Sequence, residues 1–300
     1  MRIVLFGQAA FGRDVLEALR AAGEEVVGVS VPRQAGRPDP LAEAATAASI
    51  PVIETPALRQ DEPFQQYLAW RPDLLVFAFV TDIVRKRVLD AAALGAIQYH
   101  PSLLPRHRGR SAMNWAILSG ASRTGLTVFW VDEGIDTGPI LLQREVEVGP
   151  DDTVGSLYFQ RLYPLGVDAL VEAVRLVREG RAPRLAQDET AATYEPPCGP
   201  EHVVVDWRQH GEVVSRVVRG GDPQPGATAR LRGATLRLYG ARYVPGHPDQ
   251  PPGTVEAVDG GRAVIAVIGG RVTVDRVQRD GEAKQAAAEI LRPGDVLEHG

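Results

Sequence analysis

One cysteine, Cys198, occurs in the 300 residues of this chain, so intrachain disulfides are excluded and a reducing cytoplasm is the expected location. No apolar run approaches the roughly 20 residues that a membrane helix requires, so no membrane span is expected. Neither sign of charge dominates. Lys and Arg number 33 against 38 Asp and Glu, and the formal net charge of −5 makes neither nucleic acid nor an anionic membrane the expected main partner. The N-terminal Met1-Arg2-Ile3-Val4-Leu5-Phe6-Gly7 is too short and strand-like for a secretory signal. The run Gly7-Gln8-Ala9-Ala10-Phe11-Gly12 lacks the central glycine of G-x-G-x-x-G. A tight strand-to-helix turn explains its two glycines without a dinucleotide, and with that glycine goes the main support for a dehydrogenase reading. His202, His210, His247 and His299 show no metal-ligand spacing, and no metal is expected. Cys198 sits in Glu195-Pro196-Pro197-Cys198-Gly199-Pro200, where nothing obvious activates a thiol.

The first 180 residues alternate strand-like and helix-like runs. Arg2–Phe6, Val26–Val31, Asp73–Phe79, Ala96–Tyr99 and Leu126–Trp130 read as strands, the third apolar enough to be buried on both faces. Val15, Leu16, Leu19 and Ala22 mark one face of a helix. Thr81-Asp82 reads as a cap for a helix over Val84–Ala93, and another helix is expected from Val154 to Glu179. Such alternation implies parallel strands joined by right-handed helical crossovers. From Gly180 to Pro200 the composition turns rich in Ala, Pro, Gly and Thr with no sustained period, as in a linker crossing the surface. Beyond it, Val203–Trp207 reads as a strand and His210–Arg219 as a short helix. Thr235–Tyr239, Thr254–Val258, Ala263–Val267 and Val272–Val277 are short β-rich pieces separated by turns. The expected architecture is α/β: a Rossmann-like, mostly parallel sheet over residues 1–182, a linker over 183–203, and a small OB-like β-barrel over 204–300.

The stretch from Gly95 to Ile140 carries the chemistry. One apolar run ends in Tyr99-His100, before a Pro-bounded loop. A second ends at Trp130, before the turn Asp132-Glu133-Gly134-Ile135-Asp136-Thr137-Gly138. Two strands delivering titratable groups into loops at their carboxyl ends make an active site in an open α/β sheet, which singles out His100 and Asp136. Each has a plainer use: His100 as a loop histidine bonded to backbone, Asp136 as a turn cap. His107 and Arg108 lie in the first loop, as solvated charges or as substrate contacts. Trp115 reads as helix-to-sheet packing. Gly109–Met113 lacks the last glycine of a nucleophile elbow, which argues against Ser111 as a nucleophile.

His100-Pro101-Ser102-Leu103-Leu104-Pro105, Arg108-Gly109, Trp115-Ala116 and Asp136-Thr137-Gly138 resemble the signature of the 10-formyltetrahydrofolate-dependent formyltransferases. Within that group, Tyr99–Gly109, Phe129-Trp130, Asp136–Pro139, Asp151-Asp152-Thr153-Val154, Ala192-Thr193-Tyr194-Glu195, Arg219-Gly220 and Pro225-Gly226-Ala227 are similar to the hydrolase domain of 10-formyltetrahydrofolate dehydrogenase. The resemblance covers nearly the whole chain and implies 10-formyltetrahydrofolate as formyl donor. It also implies that Asp82, Ile83 and Val84 meet the pterin through backbone groups. Phe77 and Phe79 belong either to that pocket or to the core, and Arg85 stands where relatives often have Pro.

Removing a formyl group from an aryl-amide nitrogen needs attack on the carbonyl, stabilisation of the tetrahedral oxygen and a proton for the departing nitrogen. Histidine suits the proton work, and a carboxylate beside it fixes the ring. In the transferases an Asn two residues before the His helps to hold the oxyanion, and that position here is Gln98. Glutamine keeps the amide donor on a longer arm, displaced by about an ångström, and misplacement of that size can cost about 10²-fold. The dehydrogenase's hydrolase domain also lacks Asn there. Hydrolysis to formate and tetrahydrofolate is therefore the expected reaction, with His100, Asp136 and Gln98 as the catalytic set. One alternative is N-formyl transfer to an amine: an amino sugar, a small molecule or methionyl-tRNA. Another is a non-catalytic folate-binding module. Transfer RNA is disfavoured though not excluded, because Val31–Pro40 carries only Arg33 and Arg37 and is short for a basic loop.

Overall fold

The structure, a computed structural model, describes residues 1–300 except Ala35 and Arg37; the expected loop arginine Arg37 thus lies outside the described residues. The chain divides into two compact units. The first comprises Met1–Arg108, Gly125–Glu145 and Arg161–Tyr194, the second Gly109–Thr124, Val146–Gln160 and Glu195–Gly300.

The first unit is built on β1 (Arg2–Gly7), β2 (Glu25–Val31), β3 (Val52–Glu54), β4 (Leu74–Ala78), β5 (Ala96–His100), β6 (Arg123–Trp130) and β7 (Ile140–Glu147), in the order β3-β2-β1-β4-β5-β6-β7. Strands β1 to β5 pair in parallel, as the helical crossovers require. β4 is buried at every position, and Val4, Phe6, Leu75 and Phe77 join one core cluster. Gly7 and Gly12 serve packing: a side chain on Gly7 would lie 2.6 Å from the Ala78 carbonyl, and one on Gly12 would lie 2.9 Å from Leu41. The Asp39 carboxylate accepts from the backbone N–H of Ala9 at 2.8 and 3.0 Å, so an acidic side chain already sits where a bound phosphate would be expected at this turn.

Four expectations are corrected, three of them as follows. β6 runs antiparallel to β5, with Ile97 opposite Trp130 and His100 opposite Thr127, so the carboxyl ends of these two strands lie at opposite ends of the pair. The apolar run of a fully buried strand carries no mark of direction. The helix expected over Val84–Ala93 is a single turn, Lys86–Leu89, begun at Arg85 rather than at Thr81-Asp82. The N–H of Leu94 donates to the Asp73 carbonyl, which draws the chain back to start β5 and leaves room for no more. The helix expected from Val154 to Glu179 is interrupted: a turn over Val154–Leu157, a π-helical turn over Tyr158–Leu162, then Tyr163–Arg178. Pro164 has no N–H for the helical ladder, and the wide turn sits just before it.

In the second unit, β8 (Ala227–Leu231), β9 (Ala234–Pro245), β10 (Val255–Asp259), β11 (Arg262–Val267), β12 (Gly270–Arg279), β13 (Gln285–Ala286) and β14 (Glu298–His299) form an antiparallel half-barrel in the order β10-β11-β12-β9-β8-β14, with β13 on β12. Its core gathers Val205, Trp207, Val214, Val218, Leu236, Leu238, Ile265 and Val274. The helix Gly211–Gly220 packs Val214 and Val218 into that core, with Val217 against it. Val203–Trp207 is not a strand. Its burial alternates as expected, yet only Val204 bridges to Thr228, and the Asp206 side chain then turns the chain by accepting from the N–H of Arg208.

Candidate functional site

His100 ends β5 and is almost wholly buried. Its Nε2 lies 2.8 Å from the backbone carbonyl of His107. A carbonyl only accepts, so this contact assigns the hydrogen of the neutral ring to Nε2 and leaves Nδ1 as the acceptor nitrogen. Nδ1 faces Oδ2 of Asp136 at 3.5 Å. The other carboxylate oxygen of Asp136 accepts from Nε2 of Gln98 at 3.3 Å. The amide, carboxylate and imidazole that the sequence singled out therefore lie together in the first unit.

Because β6 is antiparallel to β5, Asp136 reaches this place by a return loop rather than from a strand end. Asp132 knots the loop: one of its oxygens accepts from the N–H of Gly134 at 3.0 Å and from the Thr137 hydroxyl at 2.6 Å. Gly138 is required by close approach, since any side chain there would meet the Trp130 carbonyl. Asp136 itself has φ +56, a left-handed conformation that Asp tolerates better than most residues.

A cleft of about 410 Å³ opens beside the group. Gln98, Phe129, Asp136, Phe77 and Val80 line it, together with residues 82–86 and 131–135. The segment expected to meet a ligand, Asp82-Ile83-Val84, thus borders the same cleft as Asp136. Ile83 and Ile135 are exposed apolar residues on its walls, 84 % and 68 % accessible. Phe77 serves both expected uses, lining the cleft and packing on Phe6 at 4.9 Å between ring centres.

Arg108 departs from both of its expected uses. Its side chain is 1 % accessible, which makes it neither a solvated charge nor an open substrate contact. It donates to Glu189 and Tyr194 and, through Nε and Nη2, to Oε1 of Gln187 at 3.1 and 2.7 Å. Glu189 holds the guanidinium more firmly protonated than usual. Sequence reasoning missed Gln187 and Glu189. Their only signal was the nearby Ala192–Glu195 motif, because polar residues in an aperiodic segment look like any surface loop. In the second unit, the Ser111 hydroxyl accepts from the backbone N–H of Cys198, and Trp115 donates to the Pro196 carbonyl at 2.8 Å. Burial pushes the Cys198 thiol up to about 11, away from reactivity.

Residues 1–174 match the formyl transferase family, and residues 199–293 match the formyl transferase C-terminal domain. The chain belongs to the formyl transferase family. It is 41% identical over 268 residues to mitochondrial 10-formyltetrahydrofolate dehydrogenase of Homo sapiens, an alignment covering 87% of this chain and 29% of that protein. The chain spans between about a quarter and about a third of the length of the dehydrogenases it matches. It is also 38% identical over 299 residues to methionyl-tRNA formyltransferase of Aromatoleum aromaticum, covering 97% of this chain and 94% of that enzyme. Among solved structures, HypX of Aquifex aeolicus in complex with tetrahydrofolic acid superposes with a TM-score of 0.74 at 22% identity, covering 97% of this chain and 47% of HypX. At that identity the likeness speaks for the fold.

Proposed function

We propose that this chain is a cytoplasmic enzyme that consumes 10-formyltetrahydrofolate and hydrolyses it to formate and tetrahydrofolate. The observation that carries the reading is the convergence of His100 Nδ1, the Asp136 carboxylate and the Gln98 amide, of which Gln98 and Asp136 line a cleft shared with residues 82–86. In this scheme water attacks the formyl carbon while Nδ1 of His100 takes a proton from it. The tetrahedral oxygen draws on the Gln98 amide, and the bond to the folate nitrogen breaks as that nitrogen receives the proton back from His100. Asp136 faces the imidazolium during this transit. An amide aimed at a developing oxyanion is worth roughly 10²–10³ in rate in studied enzymes. The pterin would lie along residues 82–84, and no step calls for a metal.

A second reading, formyl transfer to an amine, is favoured by the near full-length likeness to a methionyl-tRNA formyltransferase and by the amide that Gln98 retains. The test follows tetrahydrofolate release from 10-formyltetrahydrofolate by the purified protein, with and without amine acceptors. Release with water alone is expected. Release only when an amine is present would replace hydrolysis by transfer, and folate binding without turnover under any condition would leave a binding module.

A further inference from the structure

Two loops supply the candidate site, and a third segment ties them together. The loop after β5 presents the His107 carbonyl to His100, and the return loop after β6 presents Asp136. The segment 185–194 is bonded to both. Ile140 and Leu185 exchange backbone hydrogen bonds at 2.7 and 3.0 Å, fixing where the segment starts. At its far end the Thr193 hydroxyl accepts from the N–H of His107 at 2.8 Å, and the Thr193 carbonyl accepts from the N–H of Arg108 at 3.0 Å.

Between these anchors stands Gln187. Its side-chain N–H₂ donates to the carbonyls of Asp136 and Gly138 at 2.9 and 2.7 Å, and its Oε1 accepts the two Arg108 bonds. One amide thus uses both donors on the Asp136 loop and its acceptor on the His107 loop. The Asp136 carbonyl is the group that most needs holding, because this residue adopts a left-handed backbone that a non-glycine residue takes only at some cost.

We propose that Gln187 is a positioning residue: it sets the distance and orientation between the Asp136 carboxylate and the His100 imidazole by clamping the two loops through a single side-chain amide. The proposal rests on the catalytic reading above. Gln187 touches neither the cleft nor the reacting groups directly, and its effect passes through the Asp136 backbone. A shift of about 1 Å in Asp136 is the displacement at which rates fall by around 10²-fold.

The experiment measures 10-formyltetrahydrofolate turnover and tetrahydrofolate binding by calorimetry for the wild type, Gln187→Ala and Gln187→Glu. The glutamate variant keeps an acceptor for Arg108 but loses both donors to the Asp136 loop, which separates clamping of that loop from anchoring of Arg108. For both variants kcat, normalised to the number of folate-binding sites, should fall ten- to a hundredfold, with KM and the folate Kd within about threefold of wild type. The shape of the kcat–pH profile should also change, which a loss of properly folded molecules would not produce. Wild-type kcat and pH profile in both variants would overturn the clamp while leaving the catalytic reading intact. A Gln187→Glu enzyme as fast as wild type beside a slow Gln187→Ala enzyme would also overturn it, showing that only the Arg108 contact matters. A wild-type protein that neither binds nor turns over the folate would instead overturn the reading on which the clamp rests.

Discussion

Among the described residues each unit buries one arginine, and the two are held in opposite ways. In the first, Arg108 is met by the Glu189 carboxylate, which raises its affinity for the proton, and its network ends on a loop that opens to the cleft. In the second, Arg219 donates to the Asp152 carbonyl at 2.7 Å and to the Ser215 hydroxyl at 3.3 Å, and burial lowers its hold on the proton. That network ends on a helix start: Asp152 accepts from the Ser156 hydroxyl and the Gly149 N–H, and Thr153 and Ser156 form a reciprocal cap. The same side chain thus supports a loop of the candidate site in one unit and a helix start in the other. Polar substitutions in the first unit should act on rate, and those in the second on melting.

The largest effect should come from His100→Ala and Asp136→Ala. Each removes a group of the proposed proton path, worth about 10²–10⁴-fold in studied enzymes, so kcat for tetrahydrofolate release should fall by about that factor. Thermal melting should stay within a few degrees of wild type, since His100 and Asp136 bond chiefly to loops. A matching collapse of melting would erase the division drawn here.

Arg219→Met probes the other side. It strands the Asp152 carbonyl without its donor, a loss of roughly 2 kcal/mol for a bond to a charged group. For a chain of this size that lowers Tm by roughly 3 °C. Activity per folded molecule should be unchanged, and a fall in kcat with an unmoved Tm would reverse the assignment.

Gln98→Asn sharpens the comparison within the first unit. Shortening the arm moves the amide from its place 3.3 Å from Asp136 to where the transferases carry it. Partition of the formyl group towards an amine acceptor should rise about tenfold relative to hydrolysis, the lower end of what a displaced group costs. An unchanged partition would remove Gln98 from the determinants of acceptor choice.

What the sequence disclosed follows from what its periodicity can carry. The buried strand β4 announced itself by five apolar residues in a row, and the helix Gly211–Gly220 by its spaced valines. His100, Asp136 and Gln98 were legible because their motif is short and local. The direction of β6 was not, because a strand buried on both faces reads the same either way. Gln187 was hidden for another reason: it lies 51 residues from the carbonyl of Asp136 that it holds, in a segment whose composition signals only loop. Long-range polar bonds leave no period behind them.

The smallest effect concerns Asp222, buried in the second unit, where it accepts from the N–H of Gly240 at 2.9 Å. Burial raises its carboxyl above the usual range, against the opposing pull of that N–H, Lys284 and Arg276, with Asp275 adding repulsion. A carboxyl that is harder to ionise folded than unfolded binds more protons in the native state, so stability falls as pH rises through that window. Below the ordinary carboxyl value the penalty is absent, and at neutral pH it is present in full. Asn can accept the Gly240 bond without a charge. Asp222→Asn should therefore raise Tm by about 1–3 °C at pH 7, with the gain shrinking to nothing as the pH is taken towards 3, and turnover should not change. A lower Tm at pH 7 would mean that attraction to Lys284 and Arg276 outweighs the cost of burial, and the polar core of the second unit would then be held by charge as that of the first is.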